Sequence, residues 1–209
     1  RRRLSANLQV MKRQNTPDTA LFGRFVTGDP MTYMPSALSV GHGLSINPHH
    51  IDDDFFTQCD QLAPEQRRQQ ANLLSSNELT APIMYNFAVV DLAVLVSNLH
   101  GVAQRDWRSA DVELAARIVE RLIEMAAKQT VTARRNSNGS YTRAGFVLVQ
   151  IHDGQPLNLA EAFRESTPAK LEDGIERLAT FLEEDDEMYG NDAQRLYAVR
   201  SRQAPAIPD

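Results

Sequence analysis

Two stretches of the chain alternate apolar and polar positions with the period of a β-strand. In Leu21-Phe22-Gly23-Arg24-Phe25, Phe22 and Arg24 fall on one side and Leu21, Gly23 and Phe25 on the other. From Ile83 to Phe87, Ile83, Tyr85 and Phe87 alternate against Met84 and Asn86. The pattern predicts a first strand over residues 17–27 and a return strand over 79–90. Between them, residues 28–78 are rich in Gly, Pro, Asn, Asp, His and Gln. The stretch is too long for a turn, and long irregular segments in compact domains are commonly functional. It reads as a finger projecting from a sheet, with Phe25 at its root and Phe55-Phe56 further out. Inside it, Ser39–Ile46 alternates like a hairpin arm that Asn47-Pro48 ends. Residues 49–56 read as an exposed loop with polar residues ahead of two bare aromatics, and 64–73 as a short helix starting at Pro64.

Beyond the return strand the period changes to that of a helix. Leu92, Leu95, Val96 and Leu99 form a stripe that stops at Gly101. A longer helix is predicted over 109–129, with Ser109 as N-cap, Asp111 and Glu113 in the first turn and Lys128 in the last. Its apolar stripe is Ala115, Ile118, Val119, Leu122, Ile123 and Ala126. A basic turn at Arg134-Arg135 leads to a buried strand, Phe146–Ile151. Residues 158–164 read as a short helix. Thr167-Pro168 starts another, running on Leu171, Ile175, Leu178 and Leu182. Residues 1–16, polar and basic, fit a helix end or a loop equally. The order of elements predicts an α+β fold with helices packed on one face of an antiparallel sheet.

Composition narrows the function. A chain of 209 residues with 42% hydrophobic content suits one domain, or one with an appendage. The formal charge is −5, so nucleic-acid contact has to come from a local cluster. The run Glu183–Glu187 reads as a solvated helix end. Cys59 is the single cysteine, which excludes a disulfide framework and makes a reducing, cytoplasmic compartment the expectation. No apolar run approaches membrane-spanning length and nothing reads as a signal peptide. The chain opens on Arg-Arg-Arg rather than Met, so an upstream part is expected.

His42, His49, His50 and Cys59 are all possible zinc ligands, in a spacing that matches no compact ligand pattern. Asp52-Asp53-Asp54 are oxygen ligands in principle, and a solvated acidic run in the ordinary reading. There is no nucleophile elbow, no phosphate loop ending in Lys-Ser/Thr and no His-Glu-x-x-His. No cofactor is expected, and residues alone support an enzyme poorly. The better signal is aromatic plus basic. Arg24 and Phe25 are adjacent at the root of the finger, and single-strand binding needs stacking on aromatic faces and neutralised phosphates. Arg134-Arg135 would hold phosphates too. The ordinary alternatives stay open: Phe25 in the core, Arg24 paired with an acid, Arg134-Arg135 in a solvated turn.

Taken in order, the residues also carry a resemblance. Phe22-Gly23-Arg24-Phe25, Gly28, Met31-Thr32, Ser39–Ile46, Asp54–Thr57, Ser76–Leu79, Tyr85–Leu95, Asn98–Gly101, the Arg134-Arg135 turn, Leu157–Phe163 and Glu187–Gly190 together resemble the backbone subunit of the CRISPR surveillance complex Cascade, most of all the CasC family of subtype I-E. The likeness covers most of residues 17–190. It implies a hand-shaped subunit with an RRM-like antiparallel palm, packed helices and a long thumb β-hairpin. Residues 28–78 would be the thumb insertion, and 1–27 with 79–209 the palm with its helices. Copies of such a subunit polymerise along the CRISPR RNA and kink out a base at regular intervals.

The resemblance also implies site residues. Phe25 follows the Gly-Arg pair at the position that inserts beside the kinked base, often Met in the family. Phe55 and Phe56 fall on the aromatic pair near the thumb end, and Leu74 on another apolar thumb position. Arg24, Arg134 and Arg135 would hold the RNA backbone. The partners implied are CRISPR RNA, the target DNA strand through the guide, neighbouring copies and other Cascade subunits, in antiviral defence and without membrane or catalysis. Against the family's pattern, the first palm strand and a basic segment are missing from the front of this chain. Two further readings are a stand-alone single-stranded RNA-binding protein of RRM type and a metalloenzyme using the His/Cys/Asp finger.

Overall fold

A computed structural model of the protein describes residues 16–28, 32–58, 73–129, 136, 139, 141–191 and 193–208. The chain divides into two compact units. One comprises residues 1–42, 86–157 and 192–200; the other comprises 43–85, 158–191 and 201–209.

Among the described residues, the first element of this unit is a helix where the alternation predicts a strand. Helix α1 spans Pro17–Phe22. Thr16 is its N-cap and Pro17 its first residue, where the missing N–H costs nothing. The Thr16 N–H donates to Thr19 Oγ1 at 3.1 Å. Ala20 and Leu21 are buried, so this one turn and a half is held by packing. Only Arg24 keeps strand character, as an isolated antiparallel bridge to Met34.

Strand β1, Leu38–Val40, pairs antiparallel with β6, Ala88–Val90, in the register Leu38↔Val90. Helix α2, Leu92–His100, follows as the stripe predicts. Asp91 caps it by accepting from the Val94 N–H at 2.9 Å. Gly101 ends it in the left-handed region at φ 71°, with its N–H on the Ser97 carbonyl. A 3₁₀ turn, Gln104–Ser109, precedes helix α3, Glu113–Lys128. The predicted cap at Ser109 is displaced, because its hydroxyl is spent on the Asp106 carbonyl at 2.6 Å. Asp111 receives the Glu113 N–H instead.

The core of this unit joins Ala20, Leu21, Ala37, Leu38, Leu95, Val96 and Ala115. Ile118, Val119 and Leu122 of the predicted stripe pack on it. Strand β7, Phe146–Ile151, is half-buried rather than buried. It pairs with β8, Gln194–Val199, in the register Phe146↔Val199. The alternation of Arg195 and Tyr197 against Leu196 and Ala198 is the signal for β8.

The second unit holds strands β2, Leu44–Ser45, and β5, Met84–Tyr85, paired as Leu44↔Tyr85. It also holds β3, Asp52–Gln58, and β4, Leu73–Leu79, paired over seven residues from Asp52↔Leu79 to Gln58↔Leu73. The loop expected at 49–56 is thus largely strand. The return strand expected over 79–90 is broken into three pieces. Pro82 has no N–H to give a ladder, and the Ile83 N–H is taken by the Asn47 side chain at 2.8 Å. The short helix expected at 64–73 lies outside the described residues, except that Leu73 is strand.

Residues 158–164 form a 3₁₀ turn, Leu159–Phe163, capped by Asn158. It packs on helix α4, Leu171–Tyr189. That helix starts four residues after the predicted cap. Both the N–H and the hydroxyl of Thr167 donate to the Ile46 carbonyl, at 2.8 and 3.0 Å. Thr167 therefore pins the strand segment instead of capping a helix. Ile175, Leu178 and Leu182 are buried as the stripe predicts, and Leu171 is half-buried. Gly174 admits Ile46 so closely that an added Cβ would meet its Cδ1 at 2.6 Å.

The α+β class holds. In place of one sheet, however, the described residues form four two-stranded antiparallel ladders. Three of them are nested in sequence: β1 with β6, β2 with β5, β3 with β4.

Candidate nucleic-acid interface

In the first unit the predicted pair Arg24-Phe25 sits on a loop that the fold holds firmly. Helix α1 ends at Gly23, at φ 76° and ψ −179°, a conformation that side chains rarely adopt. A Cβ there would meet the Met34 carbonyl at 2.6 Å and the Ser36 nitrogen at 2.8 Å. The glycine lets the chain pass close under residues 34–36 and turn outward. Arg24 and Met34 then exchange two backbone hydrogen bonds, each 2.9 Å. The Arg24 Nε donates to the Thr32 carbonyl at 3.2 Å.

From below, Asn98 of α2 closes the same loop. Its buried amide donates to the Ala20 carbonyl at 2.9 Å and to the Pro35 carbonyl at 2.8 Å. Gly23 and Asn98 are the positioning residues that motif reading missed. Asn98 had a visible signal: a polar residue three positions after Leu95, on the buried stripe of α2. A buried amide requires partners, and those partners are the two ends of the loop.

This construction leaves Phe25 in solvent. It is 76% exposed, with Phe22 at 64% and Tyr33 at 62%. The core alternative for Phe25 is thereby removed. Several other cations among the described residues of this unit are matched by acids. Arg108 pairs with Asp153 at 2.7 Å and lies over the Trp107 ring. On α3, Arg117 pairs with Glu113, and Arg121 and Lys128 both reach Glu124. Hydrogen bonds from Lys128 and Arg121 hold the Glu124 carboxyl below its ordinary range. Such exposed pairs add little stability. Arg134 and Arg135 lie outside the described residues.

In the second unit, Phe55 and Phe56 stand in β3 opposite Ser76 and Ser75. Successive strand residues face opposite ways, so the pair divides between the two faces of the ribbon. Phe55 is 70% exposed and Phe56 39%. Leu74 pairs with Thr57, and its side chain lies outside the described residues. The same alternation splits Asp52 and Asp54 from Asp53, so the three carboxylates do not converge. Asp53 pairs across to Glu78, a like-charge pair in solvent.

Tyr85 anchors this unit's base. Its hydroxyl donates to Asn158 Oδ1 at 3.0 Å and accepts from the Leu159 N–H at 3.1 Å, and its ring packs against Phe163. Burial pushes the phenol up to about 12. His42, His49 and His50 are exposed. No group of three or more His, Cys, Asp or Glu side chains among the described residues is arranged to hold a metal ion. Cys59 is outside them. No helix among the described residues is long and apolar enough to cross a membrane.

The chain belongs to the CT1975-like proteins, whose sequence profile matches residues 2–208. It is similar in fold to a chain of a solved "CRISPR RNA-guided surveillance complex, pre-nicking", with a TM-score of 0.82 and 22% identity. That likeness covers 95% of this chain and 52% of the other. A chain of a second solved "CRISPR RNA-guided surveillance complex" gives a TM-score of 0.72 at 22% identity, covering 94% of this chain and 73% of that one. This chain thus spans about half the length of the first structure it matches. No curated protein matches it.

Proposed function

We propose that this chain is part of a backbone subunit of a CRISPR RNA-guided surveillance complex, which grips the guide RNA and packs against further copies of itself. The observation that carries the reading is the shared fold. At a TM-score of 0.82 over 95% of the chain, the common framework belongs to a complex built around a guide RNA. The loop at Arg24-Phe25 supports it, because an exposed ring held on a rigid root is suited to stacking on an unstacked base. The β3–β4 ribbon supports a thumb over residues 28–78, with the palm in the remainder. A ribbon of two strands is marginal alone, and this one carries exposed phenylalanine on both faces, as a segment that closes on a partner would.

In this reading Phe25 sits beside a kinked base, Phe55 and Phe56 wedge at it from the ribbon, and Leu74 adds apolar contact. Arg24, Arg134 and Arg135 face the phosphate backbone. Binding is sequence-independent and salt-sensitive, since phosphate contacts dominate it. Target DNA is read by pairing with the guide, so the chain acts by geometry and not by catalysis.

The test is Phe25→Ala in the full-length subunit. Loss of one stacking ring weakens guide binding by about 1–3 kcal/mol while the melting temperature stays unchanged. Unchanged guide affinity in a folded variant contradicts the role of Phe25.

A further inference from the structure

The Arg24–Met34 bridge fixes more than the position of Phe25. In an antiparallel pair, residues directly opposite share a face, and the next pair takes the other face. Arg24 opposite Met34 therefore puts Phe25 and Tyr33 at the next register position, one step into the loop and beyond the last pair that forms. Arg24 and Met34 exchange both of their hydrogen bonds. The Phe25–Tyr33 position comes next after this bonded pair, so the two residues flank the bridge on its loop side.

The ladder stops at this bridge. The Thr32 carbonyl, which a longer ladder would offer to the Val26 N–H, accepts from the Arg24 guanidinium instead. Past the bridge, the mouth of the loop carries Phe25 on one arm and Tyr33 on the other. Both rings stand in solvent, although rings of this size bury well wherever a core will take them. Gly23 and Asn98 hold the strands below them. Two exposed rings on a braced root, with a tethered guanidinium behind them, match the chemistry of unstacked bases better than that of a peptide, which needs a groove or a strand edge.

Resting on the guide-binding reading above, we propose that Tyr33 is a second stacking ring beside Phe25, so that the loop mouth takes two bases rather than one. The ring does the work and the hydroxyl does not.

The experiment uses the full-length subunit with the guide RNA of its native complex. Binding is measured for wild type, Phe25→Ala, Tyr33→Ala and Tyr33→Phe, with melting temperatures in parallel. Tyr33→Ala weakens binding on the order of tenfold, Tyr33→Phe binds like wild type, and all four melt alike. If Phe25→Ala weakens binding and Tyr33→Ala does not, the second ring is refuted and the guide-binding function stands. Were neither to weaken it, both would fall. Equal loss in Tyr33→Phe and Tyr33→Ala overturns the stacking role in favour of a hydroxyl contact. Normal RNA affinity with failed assembly of copies overturns it in favour of a protein contact.

Discussion

Replacing Gly23 by alanine tests whether the loop root is built as described. The backbone at φ 76° and ψ −179° lies in a region open almost only to glycine, and holding alanine there costs about 1–3 kcal/mol. The new Cβ would also press on two backbone atoms, the Met34 carbonyl at 2.6 Å and the Ser36 nitrogen at 2.8 Å. Neither is the end of a flexible side chain, so the strand at 34–36 has to move away. That movement breaks the two Arg24–Met34 hydrogen bonds, each worth about 0.5–1.5 kcal/mol net. Together these terms predict a loss of about 2–6 kcal/mol.

Gly101→Ala is the control. Its φ is also positive, at 71°, but no atom lies within 4 Å of the added Cβ. That change costs only the left-handed strain, about 1–2 kcal/mol. Urea unfolding of both variants, with equal m-values, gives the comparison directly. If Gly23→Ala costs no more than Gly101→Ala, the close approach under residues 34–36 is wrong, and with it the account of how Phe25 is held.

Three further predictions follow from the packing. Asn98→Ala leaves the Ala20 and Pro35 carbonyls without their donor and lowers stability by about 2–4 kcal/mol by urea unfolding. Leu95→Ala, at a fully buried position of the first unit's core, costs about 2–5 kcal/mol by the same measurement. Tyr85 makes stability fall at high pH. Its phenol stays neutral in the fold up to about 12, while an unfolded phenol ionises near 10. Its contribution is therefore full below about pH 10 and lost as pH rises through about 12. Unfolding midpoints taken across that window fall less steeply in Tyr85→Phe than in wild type; parallel curves contradict the burial of the hydroxyl.

The helices were the legible part of this sequence wherever an apolar stripe ran for two turns or more, as at Leu95-Val96 and at Ile175–Leu182. The short helix α1 was not. Its last two residues, Leu21 and Phe22, also fall in the alternating run Leu21–Phe25, and six residues are too few to show an apolar stripe. The Thr-Pro signature at 167 misled, because Thr167 spends its donors on a distant carbonyl. Local motifs of this kind cannot show where a hydroxyl finds its partner. The split of the return strand was hidden for a similar reason: the Asn47 amide that interrupts it comes from across the fold. Of the site, Phe25 stands out in the sequence beside Arg24, but only its exposure in the fold removes the core alternative. Its support was not legible, since Gly23 is explained only by atoms at 34–36, and Asn98 only by the two carbonyls it joins.

The central claim is that this chain belongs to a subunit that polymerises on a guide. The direct measurement is the mass and composition of the native complex purified with the full-length subunit. The account predicts one RNA of uniform length, with several copies of this chain bound along it. An RNA-free monomer, or a monomer carrying mixed cellular RNA, would contradict it and leave only a shared fold.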